Sequence, residues 1–320
     1  MVRNLRTLLA LLLALVATAS PAQTSQGVIR VVVPFAAGGV QDVLARSFNA
    51  ELGTLVGRSV IVENRTGAGG TIGNASVAKA PPDGHTLLLA AASHTITGSL
   101  YAKLPYHPID DFTGIAHIGS VDYVLMASAE VPAKNLKEFA DYSKSHPGKL
   151  NYASAGNGSA THLSMAYLAS LIGLEMVHVP LKSTAEAINE VIAGRAHAVI
   201  ASNIGALPFA RDPRVRMLGV TGSKRSRFLP ELPTLAESGA AGYEFDSWLG
   251  LLGPAGMPKA VVDQLNAAMA TLLKDPRILE RLARQGIEPR ALSPDAFNAL
   301  LREDFVKMAR VVKISGARID

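Results

Sequence analysis

Short β-branched runs alternate with longer helical patterns along most of this chain, and that alternation constrains the fold most. The run at residues 28–33 ends at Pro34, and residues 40–56 then carry apolar side chains close to helical spacing. Further strands are predicted at 60–62, 86–90, 115–127, 150–153, 176–179, 198–201, 216–220 and 249–252. Helices are predicted at 134–145, 159–171, 185–193, 259–274, 276–285 and 294–313. Strands separated by helices of this length indicate an α/β protein with parallel sheets and crossover connections.

The order of these elements predicts two domains. Residues 259–320 are almost entirely helical in pattern, so they cannot complete a sheet of their own and should pack on the first one. The chain then leaves domain one, builds domain two and returns. We place domain one at residues 23–122 and 249–320, and domain two at residues 123–248. Two crossings make a hinge, and ligands usually bind in a cleft between two such lobes.

The N-terminus has the pattern of a secretory signal peptide. Arg3 and Arg6 precede an apolar run at residues 8–17, and Ser20 and Ala22 fit the small-x-small cleavage rule. We predict cleavage after Ala22, with cleavage after Ala19 as the alternative, and a periplasmic mature protein. An uncleaved anchor is the other reading, but the run is short for a membrane span.

Composition excludes several classes of protein. The chain has no cysteine, which removes disulfides, thiolate metal sites, catalytic cysteine and a lipoprotein anchor. The formal net charge is +5, and loss of the two leader arginines lowers it to +3. Lysine and arginine form no stripe, so nothing favours nucleic-acid binding. The eight histidines are scattered without ligand spacing, so no metal site is predicted. His94, just past a predicted strand, is the one histidine kept as a cleft candidate.

Two glycine-containing loops between a strand and a helix are candidate anion sites. In the first, Gly38 and Gly39 let the backbone approach a ligand at a helix N-terminus, where free N–H groups attract an anion. Asp42 suits the first turn of that helix and is given a structural role. In the second, residues 152–162, hydroxyl groups accompany two glycines. A hydrolase would use a serine here with His162 as its base, but the loop lacks G-x-S-x-G, so carboxylate binding is preferred.

A third glycine-rich stretch, residues 63–73, resembles a dinucleotide-binding fingerprint. Its third glycine falls one residue late for G-x-G-x-x-G, and no acidic residue follows at the expected distance. We therefore predict a tight loop that opens a helix, and a nucleotide-binding module is disfavoured.

Several motifs in order resemble one family. They are Pro34-Phe-Ala-Ala-Gly-Gly39 with Asp42, Glu63-Asn-Arg-Thr-Gly-Ala-Gly-Gly70, Leu104-Pro-Tyr-His-Pro-Ile-Asp-Asp-Phe112, Tyr152-Ala-Ser-Ala-Gly156 and Gly250-Leu-Leu-Gly-Pro-Ala-Gly-Met-Pro258. Together they resemble the Bug-type periplasmic substrate-binding receptors of tripartite tricarboxylate transporters, over nearly all of the mature chain.

The resemblance implies a class II periplasmic-binding-protein fold, with two α/β lobes and a hinge of two crossover strands. It implies a monomeric, non-catalytic receptor without cofactor that delivers a small organic acid to the membrane components of such a transporter. Carried over by motif, the ligand-binding residues are Phe35, Ala36, Ala37, Gly38, Gly39, His94, Thr95, Ser154, Gly156, Asn157, Gly158, Ser159, Thr161, Ala201 and Asn203. A ligand-sensing adaptor for a membrane histidine kinase would share this sequence, and a periplasmic serine hydrolase stays as a further alternative.

The chain departs from the family at two places. Relatives usually carry Val-Pro-Tyr-Lys-Gly where this chain has Val179-Pro-Leu-Lys-Ser183, and usually an aspartate at the position aligned with Ala201. Without that carboxylate, a ligand ammonium group has no partner, so we expect a ligand that lacks an α-ammonium. Ser202, Asn203, Glu186 or Glu190 are the residues that could compensate.

Overall fold

The computed structural model describes residues 27–101 and 103–317, which form ten strands and ten helices. The strands are β1 (Ile29–Val33), β2 (Val60–Asn64), β3 (Thr86–Ala91), β4 (Phe112–Ser128), β5 (Leu150–Ser154), β6 (Met176–Pro180), β7 (Ala198–Ser202), β8 (Val215–Val220), β9 (Asp246–Pro254) and β10 (Ile287–Pro289). The helices are α1 (Val40–Val56), α2 (Thr71–Ala78), α3 (Ser93–Leu100), α4 (Leu136–Ser145), α5 (Ala160–Ile172), α6 (Thr184–Ile192), α7 (Asn203–Ala206), α8 (Lys259–Leu272), α9 (Pro276–Arg284) and α10 (Pro294–Ser315).

The strands form one sheet in the order β2-β1-β3-β9-β4-β7-β5-β6, with β8 and β10 also paired to β4. Strands β1, β2 and β3 are parallel, as are β5, β6 and β7. The expected parallel pairing is confined to these two groups, since β9 runs antiparallel to β3 and β4, and β7, β8 and β10 run antiparallel to β4. The predicted α/β class with crossovers holds within each lobe, and the antiparallel strands join the lobes.

Strand β4 is the main connection between the lobes. Its 17 residues pair with β9 up to Asp122, and with β7 from Tyr123 onward. Strand β9 returns the chain and opens with Asp246, the register partner of Asp122. The two lobes therefore share a hinge of two adjacent strands. The domain limits given above remain a prediction.

The C-terminal helices pack on more than the first sheet. Helices α8 and α9 pack against α1 of lobe one, as expected. Helix α10 instead contacts both α3 of lobe one and α5 of lobe two. Met308, Val311 and Val312, in its second half, are buried with Leu163 of lobe two. This helix therefore bridges the two lobes and does not belong to one lobe alone.

Local signals explain where the helices begin and end. Asn135 caps α4 by accepting a hydrogen bond from the N–H of Glu138 at 2.9 Å, and the Glu138 carboxylate accepts the N–H of Lys134 at 2.7 Å. Gly57 ends α1 in a left-handed conformation at φ 67°. The predicted loop at residues 63–73 does open a helix, α2, after a short 3-10 turn at Ala68–Gly70. The predicted signal peptide lies outside the described residues, and within them no helix is long and apolar enough to cross a membrane.

Candidate functional site

A cavity of about 220 Å³ lies between the lobes at the hinge. Its lining combines hydroxyl and amide groups with apolar side chains, and no charged side chain lines it among the residues that the structure describes. The hydroxyl-bearing residues that line it are Ser93, Tyr123, Ser159, Thr161, Thr184, Ser202 and Ser247, and Gln41 contributes an amide. The apolar lining residues are Phe35, Val40, Ala91, Val121, Ala155, Ala160 and Leu249.

The cavity lies where the carboxyl ends of parallel strands meet helix N-termini. Phe35 follows β1, Ala91 ends β3, Ala155 follows β5 and Ser202 ends β7. In open α/β sheets, ligands bind in the crevice outside the carboxyl ends of the strands. Here the loops that follow four strands, two from each lobe, meet around the cavity.

Helix N-termini supply the electrostatic character of the cavity. The first turns of α1, α3, α5 and α6 all contribute lining residues. The first N–H groups of a helix have no intrahelical partner, and each helix N-terminus favours an anion by about 0.3–1 kcal/mol. Four of them around a space without charged side chains make it attractive to a carboxylate and unattractive to a cation.

In lobe two, the loop between β5 and α5 is held in place by its own hydroxyl groups. The Ser159 hydroxyl donates to the carbonyl of Gly156 at 2.7 Å and accepts from the N–H of His162, which caps α5. The Thr161 hydroxyl oxygen accepts from the N–H of Ala155 at 2.8 Å. Because its oxygen is fixed in this way, the Thr161 proton can turn toward a bound oxygen or toward Ser159, 2.9 Å away.

Two stacked imidazoles support this loop from behind. The rings of His162 and His178 lie 3.9 Å apart and nearly parallel. The Gly158 N–H donates to Nδ1 of His162 at 3.0 Å, so that nitrogen carries no proton. Burial, with the neighbouring His178, lowers the pKa of His162 to about 4. Burial also lowers the pKa of His178, so both rings are neutral near pH 7, and His162 serves the loop as a hydrogen-bond acceptor.

A serine hydrolase reading finds no support in this geometry. Ser154 lies 2.6 Å from Nε2 of His178, but its side chain is buried and does not line the cavity. Ser159 does line the cavity, yet its hydroxyl proton is directed to the carbonyl of Gly156. A serine is activated as a nucleophile when a base accepts its hydroxyl proton. Here Nδ1 of His162 accepts the N–H of Gly158 instead.

The loop between β1 and α1 owes its shape to Asp42. The carboxylate accepts the N–H of Gly38 at 2.9 Å and the side-chain N–H groups of Arg46 and Asn64. Burial acts to raise its pKa, but these hydrogen bonds together lower the pKa below its usual range. Asp42 is only 3% exposed and does not line the cavity, in agreement with a structural role.

The structure brings some of the predicted ligand-binding residues to the cavity. Phe35, Ser159 and Thr161 line it directly. The residues Ala36, Ala37, Gly38, Gly39 and Asn157 are exposed in the two loops, and Gly156 and Gly158 are half-buried there, with none of these seven in the lining. These backbones shape the loops, and Ser154 holds the lobe-two loop by accepting a hydrogen bond from the N–H of Gly156 at 3.1 Å.

His94 and Thr95, predicted at the edge of the cleft, do not line the cavity. His94 is buried, with Nε2 2.8 Å from the carbonyl of Pro108, and burial lowers its pKa to about 4. Thr95 is buried and donates to Asp304 at 2.5 Å, while Trp248 donates to the same carboxylate. His94 and Thr95 both lie on the side of α3 that faces the core, and Ser93 of the same helix lines the cavity.

Ala201 and Asn203 also point elsewhere. Ala201 is fully buried in the apolar core of lobe two, so its alignment with a family aspartate does not identify a cavity position. Asn203 donates from Nδ2 to the carbonyl of Gly286 in lobe one at 2.9 Å. Ser202, between them, lines the cavity. Of the acids considered as replacements, Glu186 accepts the N–H of Lys182 and Glu190 pairs with Arg195, and neither lines the cavity.

The sequence analysis missed Gln41, Tyr123, Thr184 and Ser247 as lining residues. Gln41 and Thr184 lie in the first turns of α1 and α6. Their positions relative to the start of each predicted helix could have identified them. Tyr123 and Ser247 lie on the hinge strands, and no local pattern marks them. Burial raises the pKa of Tyr123 to about 12, so its phenol stays protonated and can donate.

Two lobes joined by two strands, with a cavity between them that carries hydroxyl groups and no charged side chain in the described part of the chain, define a solute-binding receptor of the periplasmic-binding-protein class. A family model described as "Tripartite tricarboxylate transporter family receptor" matches residues 44–317, and the chain belongs to this family. The resemblance read from the motifs is thereby confirmed. The family consists of solute receptors, so the prediction of a non-catalytic protein is confirmed as well.

Solved structures agree on the fold. The chain is similar to Rpa4515 of R. palustris with adipate (31% identity, TM-score 0.80, 92% of this chain and 99% of that one). It is similar to the periplasmic binding protein BugD, at 35% identity and a TM-score of 0.77 over 92% of this chain and 99% of that one. It is also similar to MatC of Rhodopseudomonas palustris with bound malate, at 34% identity and a TM-score of 0.75 over 90% of this chain and 99% of that one. These matches confirm the predicted two-lobed α/β fold.

Proposed function

We propose that this protein is a periplasmic receptor that binds a small organic acid in the interdomain cavity and delivers it to the membrane components of a tripartite tricarboxylate transporter. The observation that carries the proposal is a cavity with seven hydroxyl-bearing lining residues, four helix N-termini and no charged lining side chain among the described residues. Such a site holds a carboxylate by hydrogen bonds and dipoles.

The relatives support this choice of ligand. One similar structure carries adipate and another carries malate, and both acids are small carboxylates without an ammonium group. In this chain, no acidic side chain lines the cavity in the described residues. An ammonium group enclosed there would lose water without gaining a negatively charged partner, which costs several kcal/mol. We therefore extend the proposal to acids that lack an α-ammonium.

A thermal-shift panel tests the proposal on the mature protein freed of ligand by partial unfolding and refolding. We expect mono-, di- or tricarboxylates to raise the melting temperature and matched alcohols or amides to leave it unchanged. A ligand at 100 times its Kd stabilises the folded state by about 2.7 kcal/mol, or several degrees. A panel in which no acid gives a shift at millimolar concentration would refute acid binding.

Delivery in the periplasm is tested separately. N-terminal sequencing of the exported protein should begin near Gln23, and a sequence that still begins Met-Val-Arg would contradict export by cleavage. Uptake of the acid identified above should fail in a strain that lacks this protein and return when it is supplied. Uptake that is unchanged without the protein would contradict the transport role.

A further inference from the structure

Gln41 has a polar side chain in the cavity that the protein itself does not satisfy. It is the second residue of α1, is 9% exposed, and lines the cavity beside Phe35 and Val40. Its Nε2 atom is buried and has no hydrogen-bond partner among the residues that the structure describes. A buried donor without a partner destabilises a folded protein, and such groups are rare unless a ligand or water completes them.

The position of this amide sets it apart from the other unsatisfied groups. Buried side-chain atoms without a partner also occur in Asn74, His94 and Gln285, and none of these three residues lines the cavity. A half-turn of the terminal amide exchanges the nitrogen and oxygen of Gln41, so either atom can face the cavity. The side chain can therefore present two N–H groups to a bound molecule.

The wall around Gln41 indicates what that molecule looks like. In lobe one and the hinge, the lining consists of Gln41, three hydroxyl-bearing residues and five apolar residues, which are Phe35, Val40, Ala91, Val121 and Leu249. The wall on the lobe-two side carries Ser159, Thr161, Thr184 and Ser202 at helix N-termini. A carboxylate placed against the lobe-two hydroxyl groups leaves a hydrocarbon body beside the apolar residues, and among the described lining residues Gln41 alone has a buried side-chain donor without a partner.

We propose that Gln41 is a specificity-determining residue that donates a hydrogen bond to a second oxygen at the far end of the ligand. The preferred ligand is then an acid with an apolar body and an oxygen acceptor at each end, such as a dicarboxylate or an ω-hydroxy acid. The inference rests on the proposed function, because it takes the binding of an acid in the interdomain cavity as given. A simple fatty acid of the same length would leave Gln41 unsatisfied.

Calorimetric titration of matched acids tests this pairing. The probes are adipate, 6-hydroxyhexanoate and hexanoate, with succinate and butanoate as a shorter pair. In the wild-type protein we expect the acids with a second oxygen to bind about 10- to 100-fold more tightly than the matched fatty acid, the effect of one such hydrogen bond. Gln41→Met keeps the length of the side chain but removes the donor. It should abolish that preference while leaving hexanoate or butanoate binding unchanged or tighter.

The control is Gln285→Met, which changes another glutamine with an unsatisfied buried atom, at the end of α9 and away from the cavity. It should keep the wild-type preference. If the acids bind but Gln41→Met binds them all as the wild type does, the role of Gln41 is overturned. Equal wild-type affinity for a dicarboxylate and its matched fatty acid would overturn it too. If no acid binds the wild type at all, the proposed function fails first, and the two failures are distinguishable.

Discussion

Replacing Asp122 with asparagine should stabilise the protein at neutral pH. Strand alternation places Val121 and Tyr123 in the ligand cavity and Asp122 on the opposite face, at the back of the hinge. There it is the register partner of Asp246 across the two hinge strands. Burial first, and then the charges of Asp246 and Glu288, raise the pKa of Asp122 from 3.8 to about 6, despite a hydrogen bond from Ser226.

The size of the effect follows from that pKa. A raised carboxyl pKa means that the folded protein binds more protons than the unfolded chain between about pH 4 and pH 6, so stability falls as the pH rises through this window. A rise of about two pKa units corresponds to ~3 kcal/mol lost by pH 7.5. Asp122→Asn removes the ionisation, so it should be up to ~3 kcal/mol more stable than the wild type at pH 7.5 and nearly equal to it at pH 4.

Urea unfolding at the two pH values measures this difference. The single tryptophan of the sequence, Trp248, is 3% exposed on β9 and reports on the hinge by fluorescence. Asp263→Asn is the control, because Asp263 forms only a surface pair with Lys259, worth about 0–1 kcal/mol. A variant Asp122→Asn that is no more stable than the wild type at pH 7.5, or that gains equally at both values, would refute the reasoning.

Three further predictions concern the two binding loops and the choice of ligand. Asp42→Asn should lower the free energy of unfolding at pH 7 by about 1–3 kcal/mol, since it weakens the bonds from Gly38 and Arg46. Because the pKa of Asp42 is lowered, this stability is fully present above about pH 4 and is lost progressively as the pH falls through the lowered pKa, so the difference in urea unfolding should shrink steadily below pH 4. Ser159→Ala and Ser183→Ala each remove a helix N-cap, worth about 1 kcal/mol, but only Ser159 lines the cavity. Acid affinity by calorimetry should fall for Ser159→Ala alone, and an equal fall in both would argue against ligand contact. Succinate or adipate should bind more tightly than aspartate or glutamate by about 100- to 1000-fold, and micromolar binding of either amino acid would contradict this.

The sequence identified the binding loops better than it identified the binding side chains. Phe35, Ser159 and Thr161 were found because a strand, a glycine-containing loop and a helix N-terminus recur in this order, and that pattern is local. His94 and Ala201 each lie one residue from a true lining residue, Ser93 and Ser202. Neighbouring residues of a strand or helix point in different directions, and the packing that fixes the direction is not local.

The sheet shows the same division between local and non-local information. Strand positions followed from β-branched runs, and their parallel pairing in β1–β3 and β5–β7 followed from the intervening helices. The antiparallel placement of β4 and β9 depends on how the chain crosses twice between lobes, which no window of sequence encodes. The bridging packing of α10 was missed for that reason as well, since its two buried faces contact different lobes.

A calorimetric titration of the ligand-free protein with adipate, beside 1,6-hexanediol, tests the central claim most directly. The two molecules share length and an oxygen at each end, and they differ in carboxylate charge. If helix N-termini and hydroxyl groups make the cavity an acid site, adipate should bind with one-to-one stoichiometry and the diol should give no measurable heat. Binding of the diol as tight as that of adipate, or silence from both adipate and the other acids of the panel, would contradict the account.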